Sequence, residues 1–327
     1  MTADIRKIKH KKRATPHKWE RLALALVFLF ILLLLLKNPE IAITNMTSGL
    51  SLCAKTLIPS LFPFMVISEI MINSDAMSLP IPLLGRLSKK IFGVGSEGAA
   101  AALMGLLCGF PIGAKCASAL WKSGKIDRDE YSRLLIISNN PSPAFMIGTV
   151  GESMFGERPF GIALYFISVL SALTVGAIYR LISRKTDSST DLTPNSELPD
   201  SRTGVNIFTG AVTASALSML YVCAYVVFFS TLVGAAESVL PPSVPKWANA
   251  LGIAFLELTG GMWRASGIEN YGKYIAAFAA GWSGLSVHFQ IMSICANDGV
   301  SFKPYFLAKL ATGVLCFMLV GLFLLFF

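Results

Sequence analysis

The residues with the most chemistry to offer lie in "SNNPSPAF", positions 138–145, between the apolar runs "LLII" and "MIGTV". Asn139 and Asn140 bring amide donors and acceptors, and Ser138 and Ser142 bring hydroxyls. Pro141 and Pro143 withhold backbone N–H groups and break a helix. In hydrocarbon an unpaired polar group costs several kcal/mol, so such a break survives only inside protein or against water. A second polar interruption, "GWSGLSVHFQ" at 281–290, places Trp282, Ser283, Ser286, His288 and Gln290 in a similar apolar setting. Groups of this kind hold a polar solute by hydrogen bonds and ring contacts.

Ser142 is placed to cap the half-helix after the first break, and Pro143 suits its first turn. Two half-helices starting in mid-membrane would point their positive ends at a common point, a setting for an anion. Lys115, just after "GFPIG", would add a full charge, and Phe145, Trp282 and His288 could face a ring. Among other ionisable residues in apolar runs, Glu257 is the second candidate for substrate or proton contact beside His288. Lys55, Glu69 and Lys309 read as snorkelling residues near span ends. No HExxH, GxSxG or nucleotide-binding loop is present, so the chain does not read as an enzyme, and nothing implies a metal or cofactor.

Elements able to carry such breaks must cross a membrane. The 327 residues are 54% hydrophobic and 14% charged, with mean hydropathy +0.63, where soluble domains carry about 25% charged residues. The six cysteines all sit in apolar segments without CxxC spacing and read as small buried residues. The net charge of +9 is concentrated before the first apolar run, in a basic tail (1–21) suited to an anionic leaflet; no nucleic-acid module follows it. Residues 22–36 read as an uncleaved transmembrane anchor. Further apolar segments fall near 48–73, 97–121, 134–155, 160–182, 207–235, 248–263, 274–296 and 304–327.

Lys and Arg crowd the loops on both sides of 97–121, so that segment is expected to dip in and return, turning at "CGFPIG" (108–113). Segment 248–263, interrupted by "TGG" (259–261), is expected to be a second re-entrant hairpin. Each hairpin follows a similar span, "SGLSLCAKTLIPSLFPFMVIS" or "TGAVTASALSMLYVCAYVVFF", and precedes a broken helix. The expected fold is all-α and polytopic: an inverted-topology repeat with two re-entrant hairpins and two broken transmembrane helices. The halves are 45–182 and 207–327, joined by a flexible cytoplasmic linker at 183–206 that is rich in Ser, Thr and Pro.

"GFPIGAK", "SNNPSPAF-IGTVG" and "GLSVHFQ" resemble the sporulation integral membrane proteins of the YlbJ type. These fall in a wider group with the nucleoside-recognition or Gate domain, shared in part with concentrative nucleoside transporters. The likeness covers most of residues 45–325. It implies a multi-pass protein of a mother-cell or outer forespore membrane in an endospore former, moving dipicolinate toward the developing spore. A planar ring with two carboxylates would suit the helix ends, Lys115 and the aromatic residues. A nucleoside-type carrier and a non-transporting scaffold are the alternatives. The partners expected are a small anion, the lipid bilayer and no nucleic acid, and a homo-oligomer is compatible with this reading.

Overall fold

The computed structural model describes residues 18–74, 82–183 and 204–326. The basic tail before Lys18 and most of the linker lie outside these residues. Everything regular in them is helical. Five helices are long and apolar enough to cross a membrane, six if a bent pair counts as one span, and the protein is a multi-pass α-helical membrane protein.

Helix α1 (Lys18–Lys37) covers the segment expected to be an anchor; its apolar part, Ala25–Lys37, is shorter than the five spanning helices. After the single residue Asn38, α2 (Pro39–Asn73) begins, earlier than the apolar run at 48 suggested. Proline is accommodated at its first position, and "IAITNMTSGL" holds no further proline. The α-winding widens to a π-turn at Cys53–Leu57, ahead of Pro59 and Pro63. Helix α3 (Pro82–Phe92) then meets α4 (Ser96–Cys108) at 89°.

The first hairpin consists of α4 and α5 (Ile112–Lys122), joined through Gly109–Pro111. Its arms of 13 and 11 residues rise about 20 Å and about 17 Å, short of the roughly 30 Å of hydrocarbon. The broken helix follows as α6 (Arg128–Ser138) and α7 (Ala144–Met154), the latter π-wound throughout. Helix α8 (Arg158–Ile182) closes the first half.

After residue 204 a long helix, a hairpin and a broken helix again follow one another, with no counterpart of α3 among the described residues. The long α9 (Gly204–Glu237) packs along α2. The second hairpin is α10 (Lys246–Leu256) and α11 (Leu258–Ser266). The second broken helix is α12 (Gly272–Trp282) and α13 (Gly284–Ile294), and α14 (Lys303–Phe326) ends the chain against α12 and α8. The second turn is not at "TGG". It falls at Glu257, extended at φ −141° and ψ 125°. The glycines belong to α11, where Gly261 lets the arms close: a Cβ there would lie 2.2 Å from Ala254 Cα.

Buried apolar side chains form two bodies. One gathers α2, α4–α6, α9, α13 and the start of α14; the other gathers α7, α8, α10–α12 and the rest of α14. Phe110, at the tip of the first hairpin, packs against both.

Candidate functional site

The first break is a four-residue interval, 139–142, held by specific hydrogen bonds. Asn139 Oδ1 accepts from the Ala114 N–H at 3.0 Å, and its Nδ2 donates to Leu135 O at 2.8 Å. Asn140 Nδ2 donates to Ile137 O at 2.8 Å, and Asn140 O accepts from the Phe110 N–H at 3.0 Å. The α6 carbonyl end is therefore closed by amides rather than water. Ser142 Oγ accepts from the Phe145 N–H at 3.2 Å, capping α7. The hairpin tip is pressed against this interval. A Cβ on Gly113 would lie 2.3 Å from Ser138 O, and one on Gly105 2.2 Å from the same oxygen.

Lys309 completes the first break. Its side chain is fully buried and Nζ donates to Asn139 O at 2.7 Å. A cation at the carbonyl end of α6 opposes the negative pole of that helix. Placing Lys309 near a span end was therefore wrong. Position along an apolar run does not reveal which neighbour a helix face meets, and this one meets protein.

The second break is a kink at one step. Ser283 takes φ +79° and ψ −9°, a left-handed conformation, and Gly284 follows at φ +79°. A Cβ on Gly284 would approach Leu258 N to 2.9 Å, because the tip of the second hairpin abuts the kink. Glu257 accepts from the N–H groups of Thr259 at 3.0 Å and Gly260 at 2.5 Å, so its own carboxylate sits on the positive end of α11. Trp282 Nε1 donates to Phe255 O at 2.9 Å, and the two rings stack 4.8 Å apart. His288 Nδ1 is 3.2 Å from the Tyr305 hydroxyl, and its ring meets Trp282 edge-on at 4.4 Å.

Both hairpin tips, the first break and the half-helix after the second wall one small central cavity of about 40 Å³, room for roughly two or three waters. Phe110 and Glu257–Thr259 contribute from the tips, Pro141, Ser142 and Phe145 from the first break, and Ser286, Val287 and Gln290 from α13. The π-turn of α2 places Leu57, Ser60 and Leu61 opposite, and Val222 and Val226 of α9 complete the wall. A larger vestibule of about 340 Å³ lies beside it, lined by Asn45, Ser48, Ser230, Trp263 and Arg264. Glu257 and Thr259 line both spaces.

Of the residues singled out from sequence, Ser142, Phe145, Glu257, Ser286 and Gln290 line the cavity. Ser138, Asn139, Asn140, Trp282, Ser283 and His288 are buried behind it and shape the breaks. Several of their polar atoms have no hydrogen-bond partner among the described residues: Ser138 Oγ, Asn140 Oδ1, Ser283 Oγ and His288 Nε2, together with Ser286 Oγ in the cavity wall. Lys115 does not reach the cavity. Its Nζ lies 2.7 Å from Glu69 Oε2 and donates to Ser218 Oγ at 3.1 Å, so its charge is spent across α2 and α9. Ser60, Phe110 and Thr259 were not foreseen; the prolines after the π-turn, the "GFP" turn and the Glu257 cap were the available signals.

Over 330 aligned residues, 91% of this chain and 81% of the relative, the sequence is 26% identical to a Bacillus subtilis (strain 168) protein described as sporulation integral membrane protein YlbJ. That similarity supports a YlbJ-type assignment. No family model matches the chain, and no solved structure matches it.

Proposed function

Starting from the YlbJ-type assignment, we propose that this membrane protein is a secondary transporter of a small metabolite used in sporulation, with dipicolinate as the solute and a mother-cell or outer forespore membrane as its place. One observation carries the reading: one cavity is walled by the tips of two short hairpins, by the first break and by the half-helix that follows the second. Interrupted helices in corresponding positions of two halves are how secondary transporters build a central site. The unpartnered Ser286 hydroxyl in the wall is free to bond a solute, with the Ser142 hydroxyl and the Gln290 amide beside it. The cavity is contracted, so loading a ring requires the second hairpin tip to draw away from the first break, toward the vestibule it already borders. On this reading the chain is no enzyme and needs no cofactor.

A second reading, a neutral hydroxyl-rich solute of the nucleoside kind, is favoured by Glu257. The charge lining the cavity is a carboxylate, and Lys115 is neutralised by Glu69. Uptake into proteoliposomes separates the two. Wild-type protein should accumulate labelled dipicolinate above empty vesicles, and Ser286→Ala, which removes a partnerless hydroxyl from the wall, should lower uptake severalfold with the protein still folded. Uptake of labelled uridine in place of dipicolinate would shift the assignment to the neutral solute. Uptake of neither, with sporulation dependent on the protein but indifferent to Ser286→Ala, would leave a scaffold.

A further inference from the structure

The corner between α3 and α4 gathers several cations against one buried carboxylate, that of Glu130. Helix α3 exposes Leu83, Leu87 and Ile91 at successive turns of one face, and Arg86, Lys89 and Lys90 are exposed with them. The chain turns at Gly93, φ +69°. Two guanidinium groups from other helices converge there: Arg133 Nε of α6 and Arg180 Nε of α8 would each lie 3.2 Å from a Cβ on Gly93. Arg133 donates to Gly93 O at 3.3 Å, and Arg180 donates to Lys90 O. Among the described residues neither arginine has a carboxylate within ion-pair distance. Arg133 Nε is buried with no hydrogen-bond partner. Glu130 faces the same corner from α6, but it is itself buried and accepts from the Gly95 N–H at 2.5 Å.

Like charges brought together at a partly buried corner repel, and an anion placed between them removes that cost. The cations are flanked by exposed apolar side chains, Leu83, Leu87 and Ile91 of α3 and Leu181 and Ile182 of α8, for which a soluble anion has no use. We propose that this corner is a binding site for an anionic phospholipid, whose phosphate sits between Arg133, Arg180 and the Lys89–Lys90 pair while its acyl chains run along the apolar faces of α3 and the end of α8. Amphipathic helices at the headgroup boundary and basic pockets between spanning helices bind such lipids through these two kinds of contact. The site does not depend on the transport reading.

The full-length protein in mild detergent, titrated with phosphatidylglycerol or phosphatidylcholine and read by native mass spectrometry, tests it. Phosphatidylglycerol should bind at least about tenfold tighter. A basic residue near an anionic headgroup is worth roughly fivefold, so Arg133→Gln with Arg180→Gln should weaken binding about 30-fold. Lys89→Gln with Lys90→Gln, exposed side chains whose loss leaves the packing untouched, should do the same and decides the matter if the arginine variant does not fold. Lys246→Gln, exposed at the start of α10, should bind as wild type does. Equal binding of the two lipids, wild-type affinity in the lysine variant, or displacement of phosphatidylglycerol by inorganic phosphate as readily as by short-chain phosphatidylglycerol would overturn the proposal.

Discussion

The two broken helices reach the same end by different means. In the first, four residues leave the helix, and two asparagine amides, a hairpin amide and a buried lysine take over the carbonyls it abandons. In the second, the interruption is a single left-handed step, and the neighbouring hairpin provides its own carboxylate. The first is braced by side-chain hydrogen bonds and leaves one hydroxyl and one amide oxygen unpartnered, while the second is bent by backbone strain and leaves two hydroxyls and an imidazole nitrogen so. A braced break resists rearrangement. A strained one with idle polar groups is nearer to a second arrangement. In the proposed cycle the moving part is therefore the second hairpin and its break, set against a fixed first half.

Four substitutions would break or sharpen this contrast. The largest effect is expected from Gly113→Val, which drives a side chain into Ser138 O where no flexible atom can yield. It should cost about 3 kcal/mol or more, read as loss of folded protein and a lower midpoint in detergent thermal unfolding. Asn139→Ala removes two buried hydrogen bonds and should cost about 2 kcal/mol by the same measurement. Glu257→Ala, its counterpart in the second half, removes a helix cap and should cost about 1 kcal/mol. If Glu257→Ala proves the more damaging of the two, the braced and strained roles are reversed. The smallest effect is Ser283→Gly, which relaxes the left-handed residue and should stabilise by about 1 kcal/mol. A loss of stability there would mean that the Ser283 side chain does more than tolerate its backbone.

Both breaks and the first hairpin turn were legible in the sequence because proline, glycine and asparagine act on the backbone where they stand. "SNNPSPAF" could not remain helical in any surroundings, and "GFPIG" could hardly do otherwise than turn. What depended on partners distant in the chain was hidden. Glycine marked the second hairpin but not its turn, which a carboxylate two residues earlier controls. Lys115 and Lys309 were assigned in the wrong sense: the one expected at the site is paired with Glu69, and the one expected at a boundary holds Asn139 O. Charge in an apolar run tells that a partner must exist, and only packing tells which.

Phe110 belongs to both hydrophobic bodies. Interiors packed as densely as a crystal slide as units rather than flow, so relative displacement concentrates where they share atoms. A flat ring lodged between two such blocks works like a bearing, turning in place while each block keeps its own internal contacts. In the proposed transport cycle such a ring would set the pivot beside the central cavity, which Phe110 also lines.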